Sequence, residues 1–481
     1  MLGKSKSSTR SFDVQVGTEK NGGSEAVVAT DARYDPDFVR RTLRQVDWRL
    51  LPLLGLLYSI DVIDRTNLAM ARTAGMNKDL GMNIGSRYSI ITMIFFPPYI
   101  LFQVPGNIAL QYIGARTFLT ISVVGWGICQ IGMAFVTSWR TLCLCRVLLA
   151  MLEAGFFPAL AFLITTWYKR HEVQKRLAIF YLLALVLDGF SALLASAIAK
   201  LGGKAGMSGW QWIFLLEGLG TLCLGPIAWL FVPDFPDKNR FLTKDQTQLI
   251  LDRVEEDRGD SLPDKLTAAK FLRHLRDPFL WSYGLMFNCV TMPGAAMAFF
   301  IPTILSGMGF SETMSLLLTT PPYIAAAISA FFFAWISDKT KKRAIWLGVQ
   351  TLMSITGLMI TGYAKPHGAR YLGLFLINMG ASGSIPGIIA YNANNVTTHT
   401  KRAVSTGVIV AFGGVGGVFA TTVYRQQDFP RYLNGLWATM GCQFLLLTLL
   451  AVNTLLLNRR NRLARLGNVV LEETPGFLYT L

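Results

Sequence analysis

Twelve stretches of about 20 mostly apolar residues recur along this chain, at roughly 50–72, 88–110, 117–137, 141–167, 177–199, 211–232, 279–305, 313–337, 345–363, 371–392, 404–424 and 435–458. Nothing else restricts the fold as much. A helix rises about 1.5 Å per residue, so each stretch is long enough to cross the roughly 30 Å hydrocarbon core of a bilayer. Composition agrees, with 52% hydrophobic and only 15% charged residues, against about 25% charged in an average soluble domain. Mean hydropathy is +0.41. The expectation is an all-α polytopic membrane protein.

A net charge of +16 raises the question of nucleic acid. The placement of the basic residues answers it differently. Lys169, Arg170, Lys175 and Arg176 lie between the fourth and fifth spans, and Lys339, Lys341, Lys342 and Arg343 follow the eighth. Lys401 and Arg402 follow the tenth, and Arg459, Arg460, Arg462 and Arg465 follow the twelfth. Loops on the other side carry fewer: Lys78, Lys200, Lys204, Lys365, Arg370, Arg425 and Arg431. This is the positive-inside distribution. It puts both termini in the cytosol and makes the lipid bilayer, not nucleic acid, the large partner. Residues 1–45 are polar and lack the apolar core of a signal peptide, so they read as a disordered cytosolic tail. The six cysteines all fall inside spans and show no disulfide framework or metal-ligand spacing, so no metal or cofactor is expected.

The string PPYI occurs at 97–100 and again at 321–324, an offset of 224 residues. Lys-Arg followed closely by Ala occurs at 175–178 and 401–403, an offset of 226. Each copy sits at the equivalent span of a six-span unit, which is the pattern of a duplicated transporter with two halves. The division is a six-helix bundle over 46–232, a charged cytosolic linker over 233–278, a second bundle over 279–458 and a cytosolic tail over 459–481. Within the linker, Thr243-Lys-Asp-Gln246 fits a helix-capping box, and Asp277-Pro278 fits the start of the seventh span.

Charge inside the spans is scarce and lies entirely in the first half. The first span contains SIDVIDRTNLAM (59–70), with Asp61, Asp64 and Arg65; Arg146 and Glu153 lie in the fourth, Asp188 in the fifth and Glu217 in the sixth. A charge at mid-membrane costs roughly 2.5–3.5 kcal/mol on insertion scales, so such groups mark a pathway or pair with each other. Asp61 and Arg65 are four apart and share a helix face, as do Arg146 and Glu153 at seven. Counting from the span ends puts Arg65, Arg146 and Glu153 within one or two turns in depth. All four histidines lie outside the spans, so a proton relay would use carboxylates.

DRTN (64–67), RVLLAMLEAGFFPA (146–159), WYKR (167–170), GWQWIFLLEG (209–218), PDFPDK (233–238), SDKTKKR (337–343), NN (394–395), HTKRA (399–403) and FPRY (429–432) occur in this order. Together they resemble the anion:cation symporter family of the major facilitator superfamily, and most of all fungal allantoate- and nicotinate-type permeases. Gln103, Gly106, Ala334 and Gly414 depart from the usual pattern. The resemblance implies a major facilitator fold, twelve transmembrane helices in two pseudo-symmetric six-helix bundles. It implies a proton symporter for a small anionic substrate, taken to be monomeric and in the plasma membrane. It also implies a cavity shared by the first and fourth spans, with Arg65 and Arg146 holding substrate and Asp64 and Glu153 handling protons. In that scheme Asp64 and Glu153 neutralise the two arginines until one of them is protonated. Asp188 matches none of the motifs; as a lone mid-membrane carboxylate it is a further proton-coupling candidate. Asn288 and Thr291, then Asn378, Ser382 and Ser384, and Phe412 are the neutral candidates for the opposite wall. Asp338, Lys339, Lys342 and Arg343 would form a conformational latch.

Two other functions compete. One is a proton-coupled exporter of a small metabolite, but the fifth span, AIFYLLALVLDGFSALLASAIA, lacks the Gly- and Pro-containing motif of such antiporters. The other is a nutrient sensor that does not transport, for which the short outward loops offer no ectodomain. No phosphate-binding loop, zinc-protease or serine-hydrolase motif points to an enzyme.

Overall fold

The computed structural model describes residues 34–259, 268–397, 399–467, 469–473 and 476–480, and among these there are helices and no strand. The membrane-crossing helices are α1 (Pro36–Ala71), α2 in two pieces (Arg87–Met93 and Phe96–Ile113), α3 (Ala115–Ala134), α4 (Trp139–Glu153, resuming as Phe156–Trp167), α5 (Arg170–Ala199) and α6 (Gly209–Phe231). The second half has α7 (Pro278–Gly307), α8 (Glu312–Leu317, resuming as Thr320–Thr340), α9 (Arg343–Tyr363), α10 (His367–Asn394), α11 (His399–Val423) and α12 (Leu433–Arg465). Ten of these, all but α1 and α2, are apolar and long enough to cross a membrane on length and composition alone. The exceptions have a reason: α1 carries Asp61, Asp64 and Arg65, and α2 is broken before Phe96 and holds Gln103 and Pro105.

The duplication is visible in how the helices are built. In both halves the second helix opens with a short piece, breaks, and resumes where PPYI supplies proline to the first helical turn. Proline is tolerated there because that N–H has no intrahelical partner to lose. The Lys-Arg-Ala strings likewise open α5 and α11.

The N-terminal tail is shorter than expected. Helix α1 begins at Pro36, capped by Asp35, which accepts from the Asp37 amide. Residues 36–45, expected in a disordered tail, are therefore helical. Val39, Thr42 and Val46 form a buried stripe at helical spacing, and Tyr34 donates to Asp252 of the linker at 2.7 Å. Residues 1–33 lie outside the described residues.

The linker contributes helices Lys244–Gly259 and Ala268–Leu275. The capping box forms as read: the Thr243 amide donates to Gln246 and the Gln246 amide donates to the Thr243 hydroxyl. Asp277 caps α7 through the Phe279 amide. An ion-pair chain fastens the linker to the first half, running Arg253–Glu172 (3.0 Å), Glu172–Arg176 (3.6 Å) and Arg176–Asp47 (2.6 Å).

At the same face, the chain's end folds back on the second half. Asn461 and Tyr479 exchange two hydrogen bonds at 2.8 Å, and Asn395 and Thr480 exchange two more. Lys401 bridges Asp277 and Glu472, both at 2.7 Å. Burial acts to lower the Lys401 pKa, but the hydrogen bonds to the two carboxylates outweigh it and hold the ammonium above its ordinary value.

The halves meet mainly away from the linker face. There Arg72 hydrogen-bonds Gln426, the Tyr88 hydroxyl donates to the Phe299 carbonyl at 2.8 Å, and Ser89 donates to Tyr424 O at 3.3 Å. Mid-membrane, α2 presses Ile100 and Phe96 against Gly414 and Gly417 of α11, and α5 packs Gly189 against Tyr323 of α8.

Candidate substrate site

Helix α1 sends polar groups in three directions, as 3.6 residues per turn requires. Asp61 and Arg65 share one face and pair at 3.0 Å. Asp64 and Asn67 point elsewhere. Asp64 accepts from Trp126 Nε1 of α3 at 3.0 Å and from the Thr221 hydroxyl of α6 at 2.7 Å, while Asn67 donates to Glu217 of α6 at 3.1 Å. Thr66 turns to α5 and donates to Asp188 at 3.2 Å. One helix is thus tied by side chains to three neighbours.

Arg65 also reaches across to α4, placing Nη2 3.4 Å from Glu153 Oε2. The depth matching made from the sequence therefore holds for this pair. Arg65 keeps 22% of its side chain exposed while its two carboxylate partners are buried. Its guanidinium lies over the rings of Tyr99 (4.8 Å) and Phe95 (5.2 Å) of α2 and its N-terminal junction. Arg146 lies 4.9 Å from the same Phe95 ring. It is fully buried, and Nε, Nη1 and Nη2 all lack a hydrogen-bond partner. Arginine is costly to bury unpaired, because five N–H donors go unmet. Glu153 Oε1 and Asp61 Oδ1 are likewise buried without a donor.

One expectation is corrected by this geometry. Asp64 pairs with neither Arg65 nor Arg146; Asp61 takes its place at Arg65, and Asp64 turns away into Trp126 and Thr221. The physical reason is angular: adjacent residues such as Asp64 and Arg65 diverge by about 100° around a helix, whereas positions four apart nearly superpose.

The second-half candidates are more dispersed. Asn288 of α7 donates to the Phe412 carbonyl of α11 at 3.3 Å, and Thr291 lies 3.4 Å from Gly413 O. Phe412 packs edge-on to Trp281 at 5.9 Å and covers Gly284. Asn378 is buried and donates to its own helix at Leu374 O; Ser384 donates to Gln350 of α9, and Ser382 is half-buried. None of these has a described hydrogen bond, ion pair or ring contact to Arg65 or Arg146. The glycines of α11 serve close packing: a Cβ at Gly413 would come within 2.6 Å of Phe287, and one at Gly416 would overlap Thr291. At the α8–α9 junction Asp338 and Lys339 fall in the last turn of α8 and Arg343 opens α9; Arg343 pairs with Asp338 at 2.7 Å and Lys339 lies over Trp335, while Lys342 is exposed. The described bonds of these four residues stay within their own half.

Sequence reading missed Phe95, Tyr99, Trp126 and Thr221. Phe95 and Tyr99 are four apart, Tyr99 within PPYI itself, which is a signal for one shared face but not for what it meets. Arg72 was missed too, because it falls at a span end; it is buried and lies 3.9 Å from the Tyr88 ring.

The model of the Major Facilitator Superfamily matches residues 54–421. The chain belongs to that superfamily. An uncharacterized transporter of Schizosaccharomyces pombe is 32% identical, covering 84% of this chain and 80% of its own length. The high-affinity nicotinic acid transporter of Saccharomyces cerevisiae is 26% identical over 88% of this chain and 78% of that protein. Among solved structures, a bacterial homolog of the human lysosomal transporter Spinster, in an inward-facing and occupied conformation, superposes with a TM-score of 0.65 at 18% identity. It covers 85% of this chain and 96% of that one. The fold is therefore the major facilitator fold, twelve helices in two six-helix bundles, and the protein is a multi-pass membrane transporter.

Proposed function

We propose that this transporter moves a small organic anion, a carboxylate, by proton symport with alternating access. The observation that carries the reading is Arg146: fully buried, with every guanidinium nitrogen unpaired, and sharing an aromatic neighbour with the partly exposed Arg65. A planar carboxylate supplies the two parallel acceptors that such a fork lacks. The rings of Phe95 and Tyr99 suit a flat, aromatic acid, and the nicotinic acid transporter among the relatives supports that class.

Charge counting gives the coupling. Asp61, Glu153, Arg65 and Arg146 sum to zero with both carboxylates ionised. An entering monoanion leaves the cluster at minus one, and one proton on Glu153 restores neutrality. Among Asp64, Glu153 and Asp188, Glu153 is the one with a described contact to a guanidinium, so we assign it the proton. Asp64 and Asp188 then hold α1 against α3, α6 and α5. Empty and fully loaded carriers are both neutral at the site, so neither pays an added charge penalty as the halves rock. The linker face is assigned to the cytosol, with the protein monomeric in the plasma membrane.

The test is uptake of labelled nicotinate and other small monocarboxylates into proteoliposomes under an imposed inward-directed proton gradient. Accumulation that follows the gradient and is lost in Arg146→Gln is expected. Equal transport of the uncharged amide, or indifference to the gradient, would overturn the reading.

A further inference from the structure

The linker-face end of α1 carries a feature that the transport site does not use. Arg41, Arg44, Gln45, Trp48 and Arg49 lie on one stripe of the helix, at intervals of three and four, and with Phe241 of the linker they line an open groove of about 500 Å³. Arg41 and Arg44 are exposed, and among the described residues none of the three arginines is ion-paired. Of the acids on the same elements, Asp47 is engaged by Arg176 and Asp252 by Tyr34, whereas Asp37 and Asp245 are exposed and do not pair with the three arginines. Arg49 is held between the rings of Phe231 (4.9 Å) and Phe241 (5.9 Å), and its buried Nε has no acceptor.

The edge of this groove is apolar. Trp48 is 72% exposed, and Leu230 and Phe231 at the end of α6 are 63% and 44% exposed. Tryptophan at that level is a membrane-interface anchor. Cationic donors above and apolar surface below, at the boundary where α1 enters the bilayer, match a molecule with an anionic head and acyl chains.

We infer that this groove is a binding site for the phosphate-bearing headgroup of an anionic phospholipid from the leaflet on the linker side. The lipid phosphate meets Arg41, Arg44 and the unpaired Nε edge of Arg49, and its chains run along Leu230 and Phe231. Gln45 donates to Phe241 O at 3.3 Å and accepts from Gln246, so the bound lipid also touches the junction between α1 and the linker.

The full chain, reconstituted in nanodiscs of phosphatidylcholine alone or doped with phosphatidylserine, tests this by native mass spectrometry of retained lipid and by thermal melting. Preferential retention of phosphatidylserine and a raised melting temperature are expected. Retention should fall about fivefold for each arginine changed to glutamine in Arg41→Gln, Arg44→Gln and Arg49→Gln. Arg462→Gln with Arg465→Gln removes exposed charge from the same face elsewhere and should leave retention unchanged. An equal loss in that control would reduce the effect to general surface charge and overturn the site. Full protection of the detergent-solubilised protein by inorganic phosphate or glycerophosphate, without lipid preference in discs, would assign the groove to a soluble anion instead. Loss of lipid preference in Arg49→Gln accompanied by unfolding is separated from loss of binding by Arg41→Gln, whose exposed side chain is not part of the packing.

Discussion

Glu153→Gln tests the coupling scheme most directly. Glu153 is fully buried, with Oε2 3.4 Å from Arg65 and Oε1 without a donor. Glutamine keeps the size and one acceptor but removes a charge, so the four-residue cluster moves from neutral to plus one. Removing one partner of a buried pair typically costs about 3–5 kcal/mol. Asp61 still holds Arg65 at 3.0 Å, and the glutamine carbonyl can keep the Arg65 contact. The lower end, about 3 kcal/mol of lost stability without substrate, is therefore expected. A bound carboxylate restores neutrality, so the variant should bind anion more tightly, lose pH dependence of binding, and melt at a temperature that recovers with ligand. Transport should split. Exchange of internal for external anion survives, while accumulation under a proton gradient, which for one proton per monoanion reaches about tenfold per pH unit, disappears. Counterflow and gradient-driven uptake in the same proteoliposomes measure both. A variant that still concentrates anion to the wild-type ratio would show that Glu153 does not carry the proton.

Four further outcomes follow from single contacts. Arg65→Lys retains charge but cannot serve Asp61 and Glu153 while stacking on Tyr99, so the concentration for half-maximal uptake should rise at least about tenfold. Asp64→Asn sets an amide opposite the Trp126 and Thr221 donors and should lower thermal stability by about 1–3 kcal/mol, with the proton-to-substrate ratio unchanged in flux measurements. Gly417→Val would overlap Phe96 where the halves meet; membrane insertion should persist while uptake falls, with overpacking costing about 1–3 kcal/mol. Deleting residues 469–481 removes the four tail hydrogen bonds to Asn395 and Asn461, worth roughly 1 kcal/mol each, and should lower the melting temperature without changing substrate affinity.

The fold was legible because lipid leaves little choice. Apolar runs of the right length must be helices, and the repeated PPYI strings marked the same helix break in both halves. Local capping was equally readable at Thr243–Gln246 and Asp277, where the chemistry is confined to a few adjacent residues. The site was legible only in part. Arg65, Asp61 and Glu153 could be matched by helical phase and depth, both of which are arithmetic on the sequence. Which neighbour Asp64 meets depends on how α1 is rotated against α3 and α6, and sequence spacing carries no information on that rotation. The start of α1 was misplaced for a related reason: its N-terminal turns are polar on one side and bury Val39, Thr42 and Val46 on the other, and what covers them is distant in sequence, which no local pattern reveals.

The distribution of charge between the halves has a mechanical consequence. The deep charges of the membrane interior belong to α1, α4, α5 and α6, whereas the middles of α7–α12 are neutral. On the proposed reading, an anion held by Arg65 and Arg146 changes the electrostatics of the first half alone. The second half can respond only through packing, and its contact with α2 is built for that. Glycines 413 and 416 bring α11 against α7, where Asn288 and Thr291 meet the α11 backbone, so these two helices form one unit. Glycines 414 and 417 face the other way and receive Ile100 and Phe96. Those two side chains follow closely on Phe95, whose ring lies near both arginines, and Tyr99 between them covers Arg65. In that proposal a carboxylate drawing the guanidiniums together acts on the α2 junction, and the same few residues meet the glycine face of α11. The path from substrate charge to the opposite half is thus one turn of helix long.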